Sequence, residues 1–519
     1  MNRNTIITLS FAVFTLLLTG CKKYLKETSQ DEMTPTTASS LNEVLAKEGY
    51  PYISTSITAS DGFSFCNYLN VMDDDIHLQN VNAYSQVTAV AKPFYIWSEN
   101  ANNDVALSGY SSLLRNPYQS LYNRIRGCNV VMDMLPEVSG SVAEKEQMQG
   151  EALVLRAYYY FMLVNLYGWP YNDPAHDRNT SLGVPLISKG SISDAAVARS
   201  TVKEVYDFIT ADMEKAISLL EKQRNISTVY RINYRAAWLL ASRIYQHMEQ
   251  WDKVIAYTDK LIGEYPLLTD LNAWKTPLAQ GSNGLSNANF IDPSNVEMLF
   301  MFSGARGGDY NLFNVAGGLA YFSCIASTEL INQYETNDMR FGVYTGSTNL
   351  PANFFLTRLS GYYMNSKIYL NATAVRSFRM AEAFLNRAEA NIRTAIKGGD
   401  ASLLQKALDD LNALRLKRFK TGSANTVVTL ASLGNDAQSV LQFCLAERRR
   451  ELTFEEFRWF DLRRYGMPSI AHTFNVNEPF TVTPGAATET YTLAKGSSRY
   501  VMKIPDNAMA ANPLLVQNQ

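Results

Sequence analysis

Histidine and cysteine are scarce in this chain, with four of the one and five of the other among 519 residues. Cys21, Cys66, Cys128, Cys324 and Cys444 lie far apart, which excludes a CxxC redox pair and zinc-ligand spacing. His77, His176, His247 and His472 are equally dispersed and read as isolated structural or surface residues, so no metal site is expected. Charge is sparse as well: 18% of residues are ionic, the formal net charge is -2 and the pI is near 6.2. Without a surplus of Lys and Arg a general nucleic-acid binder is excluded. HExxH, GxSxG, the P-loop and a GxGxxG following a strand are all missing, so neither an enzyme nor a bound cofactor is expected. Past the first twenty residues no apolar run is long enough to span a bilayer.

What the chain does have begins at its start. Residues 1–21 read MNRNTIITLSFAVFTLLLTGC: a cation at Arg3, an apolar run from Ile6 to Leu18, then Leu18-Thr19-Gly20-Cys21. The run is short for a transmembrane helix and suits a signal peptide. Its end resembles the bacterial lipobox, which implies a diacylglycerol on the Cys21 thiol and anchorage without crossing the membrane. The expected organisation is a signal peptide at 1–20, a polar tether at 21–40 and one domain at 41–519. Within it, a helical body over about 41–265 and 377–464 surrounds a loop-rich lobe at about 266–376, and coil with short strands closes the chain at 465–519.

The helical reading rests on periodicity. Met148, Ala152, Leu155, Tyr159, Met162 and Leu166 recur at steps of three and four, predicting one apolar stripe on a helix that stops near Gly168 and Pro170. Thr201 and Glu204 form a capping box, and Asn233 caps the next helix. Two helices joined by a short turn near Trp251 must pack antiparallel, with small Ala residues at the crossing. In 436–464, Glu447 with Arg450, Glu455 with Arg458 and Asp461 with Arg464 are spaced to pair along a helix, a partly buried ion-pair lattice rather than a nucleic-acid patch. The lobe is rich in Gly, Asn and Ser yet keeps its aromatics, Trp274, Tyr321 and Phe322 among them; the whole chain has 30 Tyr, 24 Phe and 6 Trp.

Six blocks taken together resemble the SusD/RagB outer-membrane lipoproteins of Bacteroidetes. They are GEALVLRAYYYFMLVNLYGWPY, TVKEVYDFITADMEKAISLL, AAWLLASRIYQHMEQWDKVIAYTDKLI, FRMAEAFLNRAEA, ERRRELTFEEFRWFDLRRYG and the closing YVMKIPDNAMAANPLLVQNQ, in which Asn507-Ala508 stands where many members carry Glu. The resemblance implies a mainly α fold with four tetratricopeptide-like helix pairs and a loop-rich ligand-binding lobe. It implies a lipid-anchored protein on the outer face of the outer membrane, capturing an oligosaccharide or polysaccharide for a SusC-type TonB-dependent transporter. Peptide capture, as in the RagB branch, and a tetratricopeptide-like scaffold without a small ligand are the alternatives.

Candidate site residues come from three places. In FYIWSENANND the resemblance points to an aromatic and an Asn: Trp97 offers its face to a pyranose ring, and Asn100 or Asn102 bridges hydroxyls, since an amide both donates and accepts. The competing role is a core Trp with capping asparagines. Tyr321 and Phe322 are candidates for the opposite wall. In the run Asp73-Asp74-Asp75, Asp74 and Asp75 are either sugar-hydroxyl acceptors or members of a solvated or capping turn.

Overall fold

The computed structural model describes residues 34–51, 68–78, 85–107, 117–191, 195–274, 290–302, 324–347, 363–365, 376–475 and 488–518. The principal helices are α1 (Ala38–Val44), α2 (Ser85–Tyr95), α3 (Ala101–Leu107), α4 (Pro117–Met134), α5 (Val142–Tyr167), α6 (Val202–Gln223), α7 (Tyr234–His247), α8 (Trp251–Glu264), α9 (Met380–Gly398), α10 (Ser402–Leu416), α11 (Ala437–Leu452), α12 (Arg458–Arg464) and α13 (Asp506–Ala511). The fold is mainly α, as expected. Helices α4 with α5, α5 with α6, α7 with α8, and α9 with α10 are packed neighbours, and α9 also lies against α8 and α11. Among the described residues no helix is long and apolar enough to cross a membrane.

The predicted caps form. Thr201 accepts from the Glu204 amide while Glu204 answers the Thr201 amide, and Asn233 accepts from the amides of Arg235 and Ala236. Helix α5 ends at Tyr167, as its Gly and Pro signals predict, but it does not present a single stripe: every residue from Gly150 to Tyr167 is buried. It is the central rod, packed on several sides, and a helix covered all round carries apolar residues all round. Its last carbonyls are met by buried cations: Arg199 Nη2 donates to Tyr167 O at 2.8 Å, and Arg463 donates to Gly168 O. Positive charge there complements the negative end of the helix. Burial pushes the Arg463 guanidinium down to about 10.

Small residues set the closest approaches. Gly127 on α4 lies against the turn at Leu45–Gly49, where an added Cβ would sit 2.2 Å from the Glu48 carbonyl oxygen. Arg156 grips Asp212 with two bonds of 2.7 Å between α5 and α6, and Arg243 grips Glu382 with two of 2.6 Å between α7 and α9. Residues expected in the tether join this body: the Ser139 amide donates to Thr36 O at 2.9 Å and the Ala38 amide to Ser139 O at 2.7 Å. The folded part therefore starts before residue 41.

Strands are short and come in antiparallel pairs: β1 (Ile76–Leu78) with β3 (Cys324–Ala326), β2 (Met298–Phe302) with β6 (Arg376–Arg379), β4 (Thr345–Ser347) with β5 (Tyr363–Asn365), and β7 (Ile470–Asn475) with β8 (Thr488–Leu493). The last pair supplies the short strands expected in the C-terminal segment. Strand β2 is buried along its length and reads MLFMF, an apolar run without alternation.

The ion-pair lattice is deeper than predicted. Helix α11 ends at Leu452, and Phe454 and Glu456 turn the chain with φ of 62° and 67° before α12. Glu447 still pairs with Arg450 at 2.6 Å and Asp461 with Arg464 at 2.8 Å. The middle predicted pair falls at the break: Glu455 turns to Arg379, at 2.8 Å, and Arg458 to Asp74, at 2.7 Å. Glu451 is a hub, accepting from Arg340 at 3.2 Å, Arg379 at 2.6 Å, Arg418 at 3.0 Å and the Tyr344 hydroxyl at 3.1 Å, all fully buried. The surrounding arginines hold its carboxyl well below the usual range against the opposing effect of burial. Arg448, Arg449, Arg450, Arg458 and Arg464 are thus committed to carboxylates, and Arg463 to the Gly168 carbonyl.

Candidate ligand-binding site

Helix α2 runs to Tyr95, and the chain then turns sharply. Ser98 N donates to Pro93 O at 2.8 Å, Trp97 N donates to Phe94 O at 3.0 Å, and Trp97 itself adopts the left-handed region with φ 51°. A non-glycine residue held there costs on the order of 1–3 kcal/mol, so surrounding contacts must fix it. They do. Trp97 Nε1 donates to Met72 O at 2.9 Å, and its ring stacks on His472 at 4.1 Å. The other face of His472 stacks on Tyr95, also at 4.1 Å, and the Tyr95 hydroxyl donates to Thr473 O at 3.0 Å. The imidazole lies between two carbonyls, Nδ1 2.7 Å from Tyr95 O and Nε2 2.9 Å from Asp73 O; burial pushes it down to about 4 despite their opposite pull. The corner from Trp97 to Ala101 is thereby fastened to β7.

Beyond the corner, Asn100 O accepts from the Asp104 amide at 2.9 Å as α3 begins, and Ser98 Oγ donates to the Asp104 carboxylate. This corner and α3 form one wall of a cavity of about 420 Å³, within the usual range for small-molecule sites. The second wall is the segment Ser498–Asn507. Several contacts secure it: the Met502 amide donates to Leu166 O at 2.9 Å, the Tyr500 ring stacks on Trp459 at 4.8 Å, and the Gln517 side chain makes paired 2.8 Å bonds with Ile504. Phe94, Trp97, Val105, Val501 and Met502 give the cavity an apolar floor, and Asn100, Asn102, Asn103 and Asn507 stand among its polar lining. Glu99 and Lys503 meet across it at 3.5 Å.

The structure brings three of the sequence-predicted residues together here: Trp97, Asn100 and Asn102. Their roles differ. Asn100 is exposed and Asn102 half-buried, so their amides are available to a ligand. Trp97 is only 2% exposed, packed on His472 and bonded to Met72. Of the two roles weighed for it, the core Trp is the one found, not an open stacking platform, and it shapes the floor from below.

Asp74 and Asp75 also need correction. They lie outside this cavity's lining, and they form neither a solvated turn nor a free acceptor pair. Asp74 takes a two-pronged grip from Arg458 at 2.7 and 2.8 Å, and Asp75 accepts from Arg449 Nε at 2.6 Å. Burial alone would raise Asp74, but Arg458 and Arg449 hold its carboxyl at about 2, whereas burial leaves Asp73 and Asp75 raised. Cys21, Tyr321 and Phe322 lie outside the described residues. Cys128 and Cys444 are buried free thiols.

Sequence reasoning missed the second wall. Its residues were read as closing coil and as the last of the family-like blocks but not as part of a site, and nothing in a one-dimensional pattern pairs Lys503 with Glu99 across four hundred positions.

Residues 23–246 match the model of a family described as starch-binding and associating with the outer membrane, and residues 325–519 match that of the SusD family. SusD-like protein P38 of Formosa agariphila is 22% identical over 408 residues, covering 70% of this chain and 74% of its own. A SusD-like carbohydrate-binding protein of Bacteroides vulgatus superposes with a TM-score of 0.66 at 20% identity, over 92% of this chain and 97% of that one. A SusD superfamily protein of Bacteroides thetaiotaomicron gives 0.66 at 21% identity, over 93% and 100%. At such identities the structural likenesses establish the fold.

Proposed function

This chain belongs to the SusD/RagB family, two of whose models between them span most of it, and from that premise we propose that it binds a glycan in the cavity between the Trp97 corner and the Ser498–Asn507 wall, without cleaving it. The observation that carries the reading is the make-up of that cavity: an apolar floor under amides at Asn100, Asn102, Asn103 and Asn507. A sugar has just these two aspects, a CH face and a rim of hydroxyls, and a side-chain amide serves adjacent hydroxyls as donor and acceptor. The name of the Bacteroides vulgatus relative, a carbohydrate-binding protein, points the same way.

In the same reading the lipobox at Cys21 anchors the protein to the outer membrane facing outward, and a SusC-type TonB-dependent transporter receives the captured oligosaccharide. Residues 41–519 act as one unit in this, and the loop-rich lobe at 266–376 contributes to holding the ligand. Calorimetric titration of the purified protein against neutral and acidic oligosaccharides and peptide mixtures tests the proposal, with Asn100→Ala/Asn102→Ala in parallel. Binding to one glycan class, weakened at least about tenfold in the variant for the loss of bonds worth roughly 1 kcal/mol each, with an unchanged melting temperature, is expected. Heat from peptides alone, or release of reducing ends from a bound polysaccharide, overturns it.

A further inference from the structure

Resting on that glycan reading, we infer that the cavity selects an uncharged saccharide, and that Glu99 and Asp506 are the residues that turn acidic sugars away. Four ionisable side chains line it, Glu99, Arg499, Lys503 and Asp506, two of each sign. Glu99 stands on the first wall and Arg499, Lys503 and Asp506 on the second, and the four formal charges sum to zero. Lys503 is already matched by Glu99 at 3.5 Å.

The rest of the polar lining is neutral: Ser98, Asn100, Asn102, Asn103, Ser498 and Asn507. Hydroxyls and amides each donate and accept, which suits the hydroxyls of a neutral pyranose. A uronate or sulfate ester has different needs. It calls for a surplus of cations, best an arginine fork, to replace the water it loses. Here the cations are Lys503, already matched by Glu99, and the exposed Arg499, and an acidic ring that met either would lie in a cavity whose lining also holds the carboxylates of Glu99 and Asp506. Like charges brought together in this way reject a partner even where the shape fits. The Glu99–Lys503 pair itself is lightly held. The two side chains are 62% and 30% exposed, and such a pair opens readily for an incoming neutral ring. Its part is to cancel charge, not to hold the walls together.

Removing the two acids should switch the specificity. Glu99→Gln with Asp506→Asn removes both acids and leaves Arg499 and Lys503 as a net pair of cations, without altering side-chain size. The test is calorimetric titration of wild-type and doubly substituted protein with neutral gluco-, manno- and xylo-oligosaccharides and with oligogalacturonates and sulfated oligosaccharides, at low and high salt. Wild type is expected to bind a neutral oligosaccharide, with an affinity that changes less than about twofold with salt, because no charge-charge attraction is there to be screened. The double variant is expected to acquire salt-sensitive binding of an acidic oligosaccharide, by at least about tenfold over wild type. Wild-type binding to an acidic oligosaccharide that weakens with salt overturns this inference and leaves the glycan reading standing. A double variant that melts like wild type but gains no acidic ligand also overturns it. Silence toward every saccharide, neutral and acidic, sinks the glycan reading and this inference with it.

Discussion

Substituting Trp97 separates a ring that holds the site together from a ring that touches the ligand. The side chain is 2% exposed, donates Nε1 to Met72 O at 2.9 Å and stacks on His472 at 4.1 Å. Trp97→Ala empties a buried volume the size of an indole, which costs about 3–5 kcal/mol in a packed core. Trp97→Phe keeps most of the ring and its stack but strands the Met72 carbonyl, a loss of about 1–3 kcal/mol. Both variants keep a β-carbon at a left-handed φ of 51°, so backbone strain is common to all three proteins and cancels. The order of stability should therefore be wild type, Phe, Ala, read as urea midpoints at a shared slope by far-ultraviolet circular dichroism. Ligand affinity, by titration under folding conditions, should fall far less for Phe than for Ala. An Ala variant with an unshifted midpoint and abolished binding would refute the reasoning, because only an exposed stacking platform behaves that way.

Two further outcomes follow from the charge network. Glu451→Gln keeps the shape of the hub but puts an amide nitrogen against the buried Arg340, Arg379 and Arg418 groups, so it should lower stability by about 3–5 kcal/mol at pH 7; a loss below about 1 kcal/mol would show that the lattice readjusts. For Asp74, held at about 2 by Arg458 and Arg449, the depressed carboxyl contributes stability that is present above the unfolded value near 4 and is lost as pH falls toward 2. The gap between wild type and Asp74→Asn, about 2 kcal/mol at neutral pH, should hold steady down to about pH 4 and close below it, which denaturation at a series of pH values will show; a gap that does not change with pH contradicts the pairing.

Much of the fold was legible because its causes are local. The capping box at Thr201–Glu204, the Asn233 cap, the end of α5 before Gly168 and the pairing of Glu447 with Arg450 each depend on residues within four positions of one another. The six blocks, taken in order, likewise resembled the SusD/RagB family, and that resemblance implied the mainly helical fold. Where the sequence reading fell short, a distant partner decided. The stripe on α5 became an all-round buried surface because other helices cover it. The Glu455–Arg458 pair dissolved because Arg379 and Asp74 offered these groups better partners from far along the chain.

The candidate site divides along the same line. Its first wall is a local product of Pro93, the turn at Trp97 and the asparagines that follow, and the sequence by itself determined that these residues stand together. Whether Trp97 faced a ligand or the core was settled by His472 and Met72, which reach it from other parts of the chain. Asp74 and Asp75 were likewise taken from the ligand's side by Arg458 and Arg449 on α12 and α11. The second wall, with Lys503 and Asn507, exists only because the closing segment folds back onto the end of α5. Periodicity and capping act over a turn or two of chain, so the sequence records them directly; burial and charge pairing are settled between surfaces that meet only in the folded molecule.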